Sequence, residues 1–198
     1  NNQQKVLLSE SSKTWLNLHD DLHFLDNEQG FIWASERDGY KHLYYFDFNG
    51  KLQRQLTSGN WVVDELDAVN EKQGMVYFTG RKDTPLERHL YQVSLTGGNI
   101  KRLTEAGFDH ALVMAKDGSR AMHSYSSFNQ PPVSQIIQVD GHQTVKALTS
   151  NAELKAKLAK ENLPSHEFFQ VPARDGVMLD GWVMFPPGMD SSKKYPVI

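Results

Sequence analysis

The first 150 residues contain short stretches in which apolar and polar side chains alternate, as they do along a half-buried β-strand. The alternation is clearest in residues 89–95, where Tyr91, Val93 and Leu95 fall on one face. Glycine-containing turns such as Asn49-Gly50 separate these stretches, and such dipeptides favour tight hairpins. The pattern predicts short strands joined in antiparallel pairs.

A leucine–threonine pair recurs three times in this region. It occurs at Leu56-Thr57, at Leu103-Thr104 and at Leu148-Thr149, so the copies are 47 and 45 residues apart. A turn glycine and a strand-like run precede each copy. A period of about 40 to 50 residues is typical of β-propeller blades, each of which contains four short strands.

We interpret each repeat as one four-stranded blade. In the first copy the predicted strands are residues 31–35, 43–48, 51–56 and 61–66. One blade cannot bury both of its faces, so these repeats predict a sector of a propeller rather than a closed ring. An open antiparallel β-sandwich is the alternative that the pattern leaves open.

The character of the sequence changes after residue 150. Residues 151–162 are rich in helix-favouring side chains, and Ser150 and Glu153 have the spacing of a capping box. Pro164 then ends the predicted helix. The segment is too short to be stable alone, so we expect it to pack on a neighbour.

The last part of the chain returns to β character. Two strand-like runs, residues 168–172 and 177–185, flank a turn at residues 173–176. An apolar strand is predicted to begin at residues 193–198, and the chain stops within it. The first residue is Asn1 rather than Met, so we expect the chain to be part of a longer protein.

Composition and charge exclude several classes of function. The formal net charge is −3 and the sequence pI is about 6.2, whereas nucleic-acid binding needs a basic face. The chain contains no cysteine, which excludes disulfides, thiol nucleophiles and cysteine-ligated metal. No apolar run approaches the roughly 20 residues that cross a bilayer. We therefore expect neither a nucleic-acid nor a membrane partner.

Three local groups of chemically capable side chains have simpler explanations. His19 and His23 stand four residues apart, but Asp20 replaces the glutamate of a zinc-peptidase motif and the flanks do not favour a helix, so no metal is predicted. Residues 123–127 contain histidine and serines along a strand, where adjacency does not make a triad. The charged residues 36–38 are interpreted as a solvated hairpin tip.

Two stretches carry a resemblance to a known family. The first is SERDGYKHLY at residues 35–44, followed by LTSGNWVV at residues 56–63. The second is DGVMLDGW at residues 175–182, followed by FPPG at residues 185–188 and KKYPV at residues 193–197. The chain resembles the dipeptidyl peptidase IV branch of the prolyl oligopeptidase family, at the end of its propeller and the start of its hydrolase domain.

The resemblance implies a mainly β fold class. Residues 1–150 would be the C-terminal blades of an eight-bladed β-propeller, and residues 151–198 a linker helix and the first strands of an α/β-hydrolase domain. The implied activity is that of a serine exopeptidase that removes N-terminal dipeptides with Pro or Ala in the second position. The implied partner is a peptide with a free N-terminus, and the implied parent is a periplasmic or secreted homodimer.

The same resemblance implies that the catalytic residues lie outside this chain. The family's serine sits in a Gly-x-Ser-x-Gly turn, and no such run occurs in the 198 residues. Its oxyanion tyrosine is expected just past Ile198, and its amine-binding glutamates before Asn1. We therefore predict no catalytic residue, metal or cofactor here, and one substrate-cavity wall residue, Phe31.

Two other functions remain open at this stage. A non-catalytic β-propeller that binds proteins would share the repeats, although it would have no use for the hydrolase-like stretch at residues 175–197. An endo-acting prolyl oligopeptidase or acylaminoacyl peptidase would share the hydrolase-like stretch, although residues 35–44 favour the exopeptidase branch.

Overall fold

The computed structural model describes residues 4–26 and 29–197 of the chain. The chain divides into two compact units, Asn1–Ser150 and Asn151–Ile198, which are treated separately below. The first unit contains antiparallel sheets, and the second contains a short helix and a hairpin.

The described strands of the first unit form three four-stranded antiparallel sheets, each with its strands in chain order. Sheet I contains β1 (Leu22–Phe24), β2 (Phe31–Ser35), β3 (His42–Phe46) and β4 (Leu52–Gln55). Sheet II contains β5 (Val63–Asn70), β6 (Met75–Gly80), β7 (His89–Ser94) and β8 (Lys101–Arg102). Sheet III contains β9 (Asp109–Met114), β10 (Arg120–Ser127), β11 (Gln130–Gln138) and β12 (Gln143–Thr149).

The blade boundary lies one strand away from the predicted position. The strand expected at residues 61–66 is β5 of sheet II, where Leu66 pairs with Phe78, and β1 completes sheet I instead. The chain crosses between the sheets here, and the Val63 amide donates to the Lys41 carbonyl at 2.9 Å. The repeat has the same length whichever strand is counted as the first of a blade. The period alone therefore could not show at which strand the chain passes from one sheet to the next.

Neighbouring sheets pack face to face through buried apolar side chains. Tyr91 and Val93 of sheet II are buried against sheet I, with Leu95 packed beside them, which confirms the predicted face. Full burial of one such side chain is worth about 1.5–3 kcal/mol, so packing between sheets dominates the stability. The buried cluster between sheets I and II comprises Leu25, Ile32, Ala34, Leu43, Leu56, Val63, Val69, Val76, Phe78, Tyr91 and Val93. That between sheets II and III comprises Ala68, Tyr77, Leu90, Ala121, Ile137 and Val139.

The threonine of the first repeated pair has a defined structural role. Thr57 is buried, and its Oγ1 accepts a hydrogen bond from the Leu43 amide at 2.9 Å. The same hydroxyl lies 3.1 Å from Nδ1 of His42, whose Nε2 lies 2.8 Å from the Gly59 carbonyl oxygen. The threonine thus satisfies two buried polar groups at the start of β3.

Sheet II repeats this arrangement and sheet III does not. Thr104 Oγ1 accepts from the Leu90 amide at 3.1 Å and lies 3.0 Å from Nδ1 of His89. In sheet III, Ser134 stands at the offset that histidine occupies in the other two, and Thr149 is exposed. The sequence repeat therefore has a physical cause in two of its three copies.

The N-terminal segment contacts sheet I at the turn that contains Gly50. A Cβ added at Gly50 would lie 1.9 Å from the Leu7 carbonyl oxygen, so the segment passes directly over this turn. A Cβ at Gly97 would lie 3.0 Å from Cδ of Arg54 on β4, which is the equivalent contact one repeat later. Leu7 and Leu8 accordingly pack against the open face of sheet I.

The helix of the second unit is α1 (Ala152–Leu158), which is shorter than the predicted segment. The predicted capping box at Ser150 is wrong, since the N-cap residue is Asn151 and no side-chain hydrogen bond caps the helix. Asn151 adopts φ 50° in the left-handed region, which asparagine tolerates better than most residues. This turn places Ser150 outside the helix.

The second unit also contains the predicted hairpin. Its strands are β13 (Ser165–Pro172) and β14 (Met178–Phe185), which pair antiparallel across the turn. The strand predicted at residues 193–198 is absent from the described residues 193–197, and Ile198 lies outside the described part. A strand requires a paired neighbour, and no described strand pairs with this segment.

Candidate functional site

A network of hydrogen bonds ties the N-terminal segment to sheet I around one carboxylate. Trp33 Nε1 donates to Oε2 of Glu10 at 3.1 Å, and the Ser35 hydroxyl donates to Oε1. Arg37 Nη2 donates to the same Oε1 at 2.8 Å, and its Nε donates to Ser35 Oγ at 2.9 Å. We call these four residues the Glu10 cluster.

The charge of Glu10 follows from these donors. Burial raises the pKa of its carboxyl, but the hydrogen bonds from Ser35, Trp33 and Arg37 together lower it by more. The pKa of Glu10 therefore lies below its ordinary value. An ionised carboxylate accepts hydrogen bonds only, which matches a site built from three donors. The cluster therefore holds the segment in place in the charged form.

Aromatic faces of sheet I support the guanidinium of the Glu10 cluster. Cζ of Arg37 lies 4.7 Å from the ring centroid of Tyr44 and 5.1 Å from that of Phe46. The Tyr44 hydroxyl donates to Asp38 at 2.8 Å, and burial together with Asp38 raises the pKa of Tyr44. Arg37 and Asp38 at the hairpin tip are exposed, as predicted, and these contacts also anchor the tip on the sheet.

A cavity of about 510 Å³ opens beside the Glu10 cluster. Trp15 stands in its wall with 76% of its surface exposed, and its Nε1 donates to Asn17 Oδ1 at 3.1 Å. A concave site with an aromatic wall, hydroxyls and charges of both signs suits a peptide-like ligand. The cavity is lined by Leu8, Ser9, Glu10, Ser11, Ser12, Thr14, Trp15, Leu16, Ser35, Glu36, Arg37 and Gly39.

The sequence interpretation assigned no role to Trp15 or Glu10. A signal was available, because Trp15 precedes Trp61 by about one repeat length. Trp61 packs between sheets I and II, with its ring centroid 6.0 Å from that of Phe78. Trp15, by contrast, is exposed.

Phe31, the predicted wall residue, lies at the base of a separate apolar cleft of about 340 Å³. It is 3% exposed, and its ring stacks on that of Phe46 with centroids 5.4 Å apart. A role for Phe31 in contacting substrate stays a prediction. The cleft is lined by Leu7, Leu8, Glu10, Leu16, Leu22, Phe24, Phe31 and Trp33.

The other sequence candidates are placed as follows. The His19 ring packs at a tilt against Trp33 with ring centroids 4.5 Å apart, and Nε2 of His23 lies 3.6 Å from Glu71. The Ser124 hydroxyl pairs with that of Ser134 at 2.7 Å. Across residues 4–26 and 29–197, no group of three or more histidine and acidic side chains is arranged to hold a metal ion. Within the same ranges, no helix has the length and apolar character of a membrane span.

Comparison with known proteins assigns the chain to a family. The sequence profile described as the dipeptidyl peptidase IV N-terminal region matches residues 1–132. The chain belongs to this family. The resemblance drawn from residues 35–44 and 56–63 is thereby confirmed.

Individual relatives agree with the dipeptidyl peptidase IV family. A probable dipeptidyl-aminopeptidase B of Aspergillus terreus is 35% identical over 178 residues, which are 85% of this chain and 19% of that protein. A dipeptidyl peptidase 4 of Trichophyton equinum is 30% identical over 177 residues, 88% of this chain and 23% of that protein. The chain thus spans about a fifth of these relatives.

Solved structures give the same result. The crystal structure of Porphyromonas gingivalis dipeptidyl peptidase 4 matches with a TM-score of 0.79 at 27% identity, over 89% of this chain and 25% of that one. A putative dipeptidyl aminopeptidase IV from Bacteroides ovatus matches with a TM-score of 0.72 at 26% identity, over 88% and 27%. The mainly β fold class is confirmed, and sheets I to III are blades of the β-propeller region.

Proposed function

We propose that this chain is part of a serine dipeptidyl peptidase that removes N-terminal dipeptides with Pro or Ala in the second position. The observation that carries the proposal is the family match over residues 1–132, together with relatives that are named dipeptidyl peptidases. The proposed mechanism uses a serine nucleophile, a histidine base and an orienting aspartate, supplied by parts of the protein outside this chain.

Within that protein, the first unit supplies scaffold and one wall of the substrate cavity. The Glu10 cluster holds Glu10 on sheet I, and Asn17 Nδ2 donates to Glu36 Oε1 at 2.8 Å, so the segment that carries Trp15 is tied down on both sides. A peptide needs a preorganised wall because every flexible group ordered on binding costs free energy. The second unit is proposed to begin the hydrolase domain.

The proposal is tested on the whole protein with chromogenic dipeptides. Glycyl-prolyl and alanyl-prolyl p-nitroanilides should be hydrolysed, and the same substrates with a blocked N-terminus should not. A serine-directed organophosphate should abolish the activity. Hydrolysis of the blocked substrates would favour an endopeptidase or acylaminoacyl peptidase, and no hydrolysis at all would favour a binding propeller.

The 198-residue chain by itself provides the matching negative test. It should hydrolyse neither substrate, because the proposed catalytic residues lie elsewhere in the protein. Turnover by a preparation shown to be free of other peptidases would contradict the proposed location of the active site.

A further inference from the structure

Four histidine rings contact one another in a row across the boundary between sheets II and III, with one pair tilted, one stacked and one edge-on. His89 lies on β7, His110 on β9 and His123 on β10, while His142 lies in the 3-10 turn Asp140–His142. Successive ring centroids are 5.2, 5.1 and 5.0 Å apart, and the first three rings are buried. We call these four residues the histidine stack.

Hydrogen bonds fix the protonation of the two central rings. His110 Nε2 lies 2.8 Å from the Glu105 carbonyl oxygen, which can only accept, so Nε2 carries the hydrogen. A neutral His110 therefore presents Nδ1 as an acceptor toward Nε2 of His123, at 2.8 Å. His123 then donates from Nε2, which leaves its Nδ1 as an acceptor for Gln135 Nε2 at 3.3 Å.

The side-chain amide of Gln135, which ends this series of hydrogen bonds, cannot rotate freely. Oε1 of Gln135 accepts a hydrogen bond from the Thr144 hydroxyl at 2.8 Å, which orients the amide nitrogen toward His123. A proton added to Nδ1 of either His110 or His123 would set two N–H donors against each other. The arrangement is satisfied only when both rings are neutral.

We propose that the histidine stack is an acid-sensitive latch: sheet III stays packed on sheet II while these rings are neutral, and separates from it when they take up protons.

Nearby acidic groups do not offset the effect of burial on the pKa of His110, His123 and His142. Burial lowers the pKa of His110, and it lowers that of His142 although Glu105 acts in the opposite direction. Burial, followed by repulsion from the neighbouring rings, lowers the pKa of His123 to about 3. The charged or titratable groups that contact or act on the stack are Glu87, Arg88, Tyr91, Glu105, Asp109 and Tyr125.

The direction of the effect follows from linkage. A histidine whose folded pKa is depressed binds its proton more readily in the open state, so the closed state loses stability as pH falls through about 6.5. Between pH 7.5 and pH 5.0, each histidine held neutral only in the closed state favours opening by about 30-fold. His110 acts in the same direction as His123, so the expected factor for the stack is at least about 30.

Sheet III is expected to open first because its packing is the weaker. Six buried apolar residues join it to sheet II, whereas eleven join sheet II to sheet I. Glu87 adds one further link, since its carboxylate lies 2.9 Å from Nε2 of His89 and accepts from the Gly107 amide at 3.1 Å. Acid should therefore act on β9–β11 before it acts on β2, β3 and β6.

Hydrogen exchange of the 198-residue chain, read by mass spectrometry and corrected for intrinsic rates, tests the latch. Between pH 7.5 and 5.0, protection of β9–β11 should fall at least 30-fold, while that of β2 and β3 should change less than threefold. The double variant His110→Gln/His123→Gln should lose most of this pH response. The control His166→Gln, in the second unit, should keep it. An equal loss in sheets I and III, or an unchanged response in the double variant, would overturn the proposal.

A second measurement covers the case in which the double variant does not fold. Side-chain 15N NMR of the unsubstituted chain should show His110 and His123 as neutral rings with hydrogen on Nε2, until sheet III opens. Reversible titration of either ring near pH 6.5 in the fully folded chain would refute the latch independently.

Discussion

Replacing Thr57 by valine tests whether the repeated leucine–threonine pair has the structural role assigned to it. Valine keeps the branched shape and removes the hydroxyl. Thr57 is 2% exposed, so the hydroxyl is buried. The Leu43 amide and Nδ1 of His42 would both lose their partner at this position. Water cannot easily replace the hydroxyl there, because His42 and Leu43 are also buried.

The expected cost follows from the two groups left unsatisfied. Each buried donor or acceptor without a partner costs about 1–3 kcal/mol, so the two groups left by Thr57→Val should lower the free energy of unfolding by about 2–6 kcal/mol. The bond from His42 Nε2 to the Gly59 carbonyl still holds the ring, which limits the loss. Thr104→Val should behave alike, because Thr104 has the same two contacts with Leu90 and His89.

Urea unfolding of the 198-residue chain at pH 7.5, followed by circular dichroism, measures both effects. The matched control is Thr149→Val, the same dipeptide in the third repeat, where the threonine is exposed and the change should stay within about 0.5 kcal/mol. Equal losses at all three threonines would refute the reasoning, since they would tie stability to the sequence repeat and not to the buried contacts.

Three further perturbations test other parts of the fold. Gly50→Ala should destabilise clearly more than Gly74→Ala in urea unfolding. Both glycines have positive φ, 79° and 65°, but only at Gly50 would the new Cβ lie 1.9 Å from a backbone atom, the Leu7 carbonyl oxygen. Equal losses would contradict this. Glu10→Gln should destabilise at pH 7 and not at pH 3. The pKa of the Glu10 carboxyl is lower in the folded than in the unfolded chain, so its ionised form stabilises the fold at neutral pH and this stabilisation is lost as pH falls through the folded pKa. A loss of stability that does not depend on pH in the same assay would exclude the ionic role. In thermal unfolding, Trp61→Ala should lower the free energy of unfolding by about 3–5 kcal/mol and Trp15→Ala by less than about 0.5 kcal/mol, because only Trp61 packs in a core. Similar losses would show that Trp15 has a structural role.

The sequence predicted the strands of this fold better than the boundaries between its blades. Alternation placed Tyr91 and Val93 on one face correctly, and the turn glycines marked hairpins such as Asn49-Gly50. The strand at residues 61–66 was assigned to the wrong blade, because a local pattern does not say which neighbour a strand will pair with. Pairing is a long-range property, and the period fixes only its spacing.

The candidate site was less predictable than the fold. Glu10 lies 25 residues before Ser35 and 27 before Arg37, so nothing local announces that one carboxylate gathers their donors. Arg37 was interpreted as a solvated tip residue, since its contacts with Tyr44 and Phe46 arise only once the hairpin folds over the sheet. The family resemblance named only Phe31, whose contact with substrate stays a prediction, and could not supply this geometry.

The central claim is that the chain belongs to a protein that removes dipeptides from free N-termini. The most direct measurement incubates the whole protein with a decapeptide that carries proline in the second position, and identifies the products by mass spectrometry. We predict one released dipeptide and the remaining octapeptide, and no cleavage of the same decapeptide after N-acetylation. Cleavage of the acetylated peptide, or failure to release a dipeptide from the free one, would contradict the claim.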